Sequence, residues 1–259
     1  MRFFEDFKNL NYYFSEENEN KEITFYSESA NDWQHLSGII DELVNTTSLN
    51  ILYVASDSND QGLKYKNNKF RAYKITNSYL LSWLFKNVKT KIMIMTLPDL
   101  NQYYLKRSKN LVHYIYVPHS LSSLHSIYRK GAFDFFDTLF CSGPHHIKEA
   151  RILEKIYNLK PKKLVKFGYG KIDILKNNNK INYNKTNKIN FLIAPSWGSD
   201  CIIENKKIFN IIDHLIEQGH NVTLRPHPIT IKKSSNIINE ILSKYKNINS
   251  FSYKPDTDS

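Results

Sequence analysis

Thr138-Leu139-Phe140-Cys141 is followed at once by Ser142-Gly143-Pro144 and then by residues 146–157, where Ile147, Ala150, Leu153 and Ile156 recur at helical spacing. A short apolar run, a glycine-proline turn and an amphipathic stripe make one strand-turn-helix unit. The unit recurs on both sides. Apolar runs at 23–26, 51–55, 91–96, 113–117, 164–167, 190–194 and 221–224 read as further strands. Most are continuous rather than alternating, which is the pattern of parallel strands covered on both faces. Residues 29–45 open with Asn31-Asp32 as an N-cap and carry Trp33, Leu36, Ile39, Ile40 and Leu43 on one stripe. Residues 206–218 form another helix of the kind, stopped by Gly219. The spacing predicts an α/β, doubly wound architecture.

Between two such stretches lies Lys176 to Lys188, polar, charged and nearly free of apolar residues. It reads as an interdomain linker over 177–187, with a Rossmann-like first domain at 1–176 and a second domain beginning at 188. The second has about 70 residues, fewer than the five or six strands of a nucleotide-binding half require, and is expected to be incomplete in this chain.

The chain has 259 residues, of which 41% are hydrophobic, enough for a substantial core. Its two cysteines, Cys141 and Cys201, lie far apart and argue against a disulfide scaffold or a cysteine zinc site. No apolar stretch is long enough to span a bilayer, and acids stand in the N-terminal residues where a signal peptide would be basic. The expected location is cytoplasmic. A net charge of +11 favours polyanionic partners. Aromatic and basic residues are not interleaved as base-stacking platforms, which sets nucleic acid aside.

Ligands of open α/β sheets bind beyond the carboxyl ends of the strands. Five such places carry chemistry: Pro118-His119-Ser120, Gly143-Pro144-His145-His146, Gly168-Tyr169-Gly170, Ala194-Pro195-Ser196-Trp197-Gly198 and Arg225-Pro226-His227-Pro228. His119 is a candidate general base, the other reading being a loop histidine satisfied by the backbone. Arg225 and His227, held between prolines, suit phosphate oxygens, or else form a rigid solvated turn. Ser196 and Trp197 offer a hydroxyl and an aromatic wall, unless the Trp is core. His145 and His146 are adjacent and lack the spacing of a metal pair, so no metal is expected. His119, His125 and Arg129 are spaced for a short helix that would bring them to one edge. There is no GxGxxG, P-loop or GxSxG motif.

Taken together, His119, Gly168 to Asp173, Ala194-Pro195-Ser196-Trp197 and Arg225-Pro226-His227-Pro228 resemble the CDP-glycerol glycerophosphotransferase family, over residues 112–228. That family builds teichoic-acid and related capsule polymers on a GT-B fold of two Rossmann-like domains. Its His-Gly-Thr motif is similar to Pro118-His119-Ser120, its A-P-T-W to Ala194 to Trp197 with Ser for Thr, and its R-P-H-P to Arg225 to Pro228 unchanged. Its later Asp-(Tyr or Trp)-Ser element does not appear before Asp256-Thr257-Asp258-Ser259. The resemblance implies transfer of glycerol phosphate or a related polyol phosphate from a CDP-linked donor to a polymer hydroxyl. His119 would be the base, and Ser196, Trp197, Arg225 and His227 would bind the donor. It implies no cofactor beyond that donor, an anionic polymer or lipid-linked acceptor, and a peripheral position at the inner face of an anionic membrane. Two other functions stay open: a GT-B capsule glycosyltransferase using a nucleotide sugar, and a truncated, inactive binding half.

Overall fold

The computed structural model describes residues 2–17, 21–103, 105–178 and 188–255. The chain divides into two compact units, Met1–Lys180 and Ile181–Ser259.

In the first unit, α1 (Arg2–Ser15) precedes β1 (Ile23–Ser27), α2 (Trp33–Thr46), β2 (Ile51–Ala55), β3 (Phe70–Lys74), α3 (Ser78–Asn87) and β4 (Ile92–Met95). Then come β5 (His113–Tyr116), β6 (Thr138–Cys141), α4 (Pro144–Ile156), β7 (Lys163–Lys166) and α5 (Gly170–Asn178). The seven strands are all parallel, in the order β3-β2-β1-β4-β5-β6-β7. The order reverses between β1 and β4, which opens the crevice where such sheets bind ligands.

Why the strands read as unbroken apolar runs is visible in β2. Ile51, Tyr53 and Ala55 enter one core with Leu36, Ile40 and Val44 of α2. Leu52 and Val54 enter the opposite core with Leu84 and Phe85 of α3 and Tyr13 of α1. Successive side chains point to opposite faces and both faces are covered, so every position is buried.

The second unit holds β8 (Asn190–Ile193), α6 (Ile208–Glu217), β9 (Asn221–Leu224), α7 (Pro228–Lys233), α8 (Ser235–Tyr245) and β10 (Phe251–Tyr253). Its strands are parallel in the order β10-β9-β8. They pack on Ile208 and Ile212 of α6 and Ile238 and Ile241 of α8.

Three local expectations change. Asp32 occupies the N-cap position of α2 without capping it, because its carboxylate accepts from the Glu28 and Ser29 amides instead. No helix follows β5, since the hydroxyls of Ser120 and Ser123 accept from the amides two residues on and compete with helical bonding. His125 is exposed beside Ser123, and Arg129 pairs with Asp99 at 2.8 Å. Residues 177 and 178, expected to begin the linker, end α5, and 179–187 lie outside the described residues. So do residues 256–259.

The N-terminal helix meets Lys74 of β3 through Glu5 and Asn9 and holds the turn after β3 through one buried carboxylate. Asp6, 1% exposed, accepts from the Thr76 amide, the Thr76 hydroxyl and the Asn77 amide at 2.8–2.9 Å. Asp6→Ala strands these donors and is expected to cost about 3 kcal/mol, read as a lower urea midpoint at unchanged slope.

Candidate active site

His119 leaves the carboxyl end of β5 behind the buried Pro118. Its Nδ1 lies 3.0 Å from the Thr96 carbonyl oxygen just beyond β4. A carbonyl only accepts, so Nδ1 carries a proton, and in the neutral ring the lone pair is then on Nε2. The Tyr116 hydroxyl donates to that of Tyr128 at 3.3 Å, which lies 3.4 Å from Nε2 and donates to it. Burial raises the pKa of both phenols and keeps them protonated. The backbone partner expected of a structural loop histidine is present, yet it takes one nitrogen and leaves the other as a base. The Tyr128 contact is long, hence weak, and a substrate hydroxyl can replace it.

A second imidazole stands nearby. His35, in the first turn of α2, has its ring centroid 6.4 Å from that of His119 and 5.5 Å from that of Tyr169. The Tyr169 hydroxyl donates to the His119 carbonyl at 3.0 Å, which links the end of β7 to the end of β5. Burial first, then the nearness of the His119 ring and of the Lys171 ammonium, lower the pKa of His35 to about 4. His35 is thus neutral at pH 7. Its folded-state pKa is below the unfolded value, so its contribution is complete above about pH 6.5 and is lost as pH falls toward 4. Wild type is expected to lose about 2 kcal/mol over that window after allowance for solvent screening. Urea titrations at several pH values should show this slope reduced in His35→Gln.

The loop after His119 is fastened by α4. His145 Nε2 donates to the Leu121 carbonyl at 3.0 Å and His146 Nε2 to the Ser122 carbonyl at 2.8 Å, while Glu149 accepts from the Leu124 amide. Both imidazoles of this pair hold backbone.

In the second unit, Arg225 follows β9, is half-buried, and donates its amide to the Ile193 carbonyl of β8 at 2.9 Å. His227 caps α7: its Nδ1 accepts from the Ile229 amide at 3.1 Å, and Pro228 takes the first helical position. That bond assigns the ring proton to Nε2. The two histidines therefore carry opposite tautomers, with Nε2 an acceptor in His119 and a donor in His227. Trp197 is 45% exposed rather than core, its ring 6.3 Å from that of His227, with Lys233 Nζ 5.3 Å above it. Ser196 beside it is exposed. The structure thus brings Trp197 and His227 together in the second unit, whereas His119 belongs to the first.

Sequence reasoning missed His35, the donor role of Tyr128 and Lys233. Tyr169 lay within a marked strand end. The one signal for His35 was its place in the first helical turn after β1, at the carboxyl edge. Among the described residues, no three His, Cys, Asp or Glu side chains gather as a metal site, and no helix is long and apolar enough to cross a membrane.

Neither a protein-family model nor a curated protein sequence matches the chain. Solved structures do. A histidine-to-asparagine variant of the wall teichoic acid polymerase TagF matches over 96% of this chain at 13% identity, with a TM-score of 0.50. The UDP-GlcNAc 2-epimerase of Methanocaldococcus jannaschii, in complex with UDP-GlcNAc and UDP, matches over 90% at 13% identity and 0.55. That of Neisseria meningitidis, bound to UDP-GlcNAc, matches over 92% at 12% identity and 0.55.

The fold is GT-B-like.

At these identities the likeness concerns the fold. The GT-B-like chain spans 65% of the TagF chain and 73% of each of these two epimerase chains.

Proposed function

We propose that this chain transfers glycerol phosphate, or a related polyol phosphate, from a CDP-linked donor to a hydroxyl of a cell-surface polymer. The observation that carries the reading lies at His119: its Nδ1 is engaged by the Thr96 carbonyl, and its Nε2 has only the long Tyr128 contact, which an acceptor hydroxyl can displace. In the reaction, the acceptor oxygen bonds to the donor's β-phosphorus and its proton passes to His119 Nε2. The bond from that phosphorus to the bridging oxygen breaks, and CMP departs with the electron pair. Arg225 and the Nε2–H of His227 stabilise the charge that develops on the phosphate oxygens. Trp197 supplies a wall for the nucleotide and Ser196 a hydroxyl. The fold shared with a wall teichoic acid polymerase supports the polymer class. A peripheral place on an anionic membrane belongs to the same reading, supported by the net charge of +11 and by exposed Phe3, Phe4, Phe7 and Tyr12 along α1.

A second reading, a glycosyltransferase using a nucleotide sugar, is favoured by the fold shared with proteins that hold UDP-GlcNAc. Calorimetric titration separates the two. CDP-glycerol is expected to bind at least tenfold tighter than UDP-GlcNAc; the reverse order transfers the assignment to the second reading.

A further inference from the structure

Within the first unit, a cleft of about 460 Å³ lies between one face of α2 and the segment that runs from the end of β7 into α5. It shares His35 with the imidazole pair of the candidate site. Its polar lining is Gln34, His35, Glu42 and Asp173, with no Lys or Arg among the lining residues. In a chain of net charge +11, that is an anionic recess. Its apolar lining is Ile39, Leu43, Phe167 and Ile174.

Carboxylates, an amide and an imidazole that accept or donate single hydrogen bonds, set among apolar and aromatic surfaces, match hydroxyls on a C–H framework. A phosphate would meet two carboxylates there and no Lys or Arg among the lining residues, the nearest cation the electrostatics show being Lys171, which acts on His35. Two glycines line the space. Gly38 lies in the interior of α2, where alanine favours the helix, and a Cβ added to it would meet nothing within 4 Å. Gly170, at the start of α5, is equally open. No packing constraint on that Cβ requires glycine at either position, and both line the cleft.

We infer that this cleft binds an uncharged polyhydroxylated unit of the acceptor, a polyol or sugar residue whose phosphates stay outside, and that His35 is a positioning residue receiving one of its hydroxyls. The inference rests on the reading of His119 as the base for an acceptor hydroxyl.

Ligand-observed NMR titration of the full chain tests it, with ribitol and methyl N-acetylglucosaminide as neutral probes and ribitol 5-phosphate as the charged one. The neutral probes are expected to bind wild type and Gly38→Ala alike, and Gly38→Leu at least tenfold more weakly. Ribitol 5-phosphate should bind wild type several-fold more weakly than ribitol, with the gap narrowed in Glu42→Gln. Absence of binding by both neutral probes, unchanged binding to Gly38→Leu, or preference for the phosphate overturns the inference. In turnover, His35→Gln should raise the KM for acceptor about tenfold with kcat nearly unchanged; a fall in kcat at constant KM removes the positioning role. CDP-glycerol titrated into the same samples keeps the two claims apart. Polyol binding without CDP-glycerol binding retains the cleft and removes the donor assignment, whereas CDP-glycerol turnover indifferent to Gly38→Leu removes only the cleft.

Discussion

His119→Asn is expected to lower acceptor-dependent release of CMP from CDP-glycerol by 10²- to 10⁴-fold, the range supplied by a positioned general base (about 3–5 kcal/mol). Asparagine is the informative replacement. Its side-chain N–H can take the place of the ring Nδ1–H on the Thr96 carbonyl, so the loop keeps its anchor while the acceptor nitrogen is lost. The variant should therefore melt within a few degrees of wild type. Tyr128→Phe removes the 3.4 Å contact to Nε2 together with the 3.3 Å bond from the Tyr116 hydroxyl, and should cost less than tenfold. If His119→Asn retains most of the activity while folded, the base lies elsewhere.

The next largest effect is expected at His227, where two replacements separate its two nitrogens. His227→Asn offers a side-chain oxygen to the Ile229 amide and keeps the cap of α7, but removes the Nε2–H. Turnover should fall about 10²- to 10³-fold, the usual loss for one donor to a developing anion. His227→Gln places an amide N–H near the old Nε2 and sacrifices the cap. It should keep more activity than Asn while losing about 1 kcal/mol of stability. The opposite ranking would mean that His227 is only a cap. Arg225→Lys is expected to resemble His227→Asn in rate, because an ammonium cannot reproduce the planar fork of guanidinium N–H groups on phosphate.

The elements that proved legible were those whose sequence carries their burial directly. The limits of β2, β6 and β9 follow the apolar runs residue for residue, since the first is covered on both faces and the other two are short and bounded by turn residues. β3 was not legible because Phe70-Arg71-Ala72-Tyr73-Lys74 lies at the sheet edge, half-buried, with Arg71 and Lys74 interrupting its apolar residues. The amphipathic stripes gave α2, α4 and α6, while α1 hides its stripe among exposed phenylalanines. The site was partly legible. Strand-end motifs led to His119, Ser196, Trp197, Arg225 and His227, all beyond carboxyl ends of strands. Nothing local in the sequence pairs His35 with His119, because that pairing arises only when β1 and β5 take their places in one sheet with β4 between them.

The most direct test of the account is the initial rate of CMP release from CDP-glycerol by the full chain, measured with and without a polyol-phosphate acceptor. The account predicts release that depends on acceptor and is lost in His119→Asn. Release of UDP from UDP-GlcNAc in place of CMP, or no acceptor-dependent release at all, would contradict it.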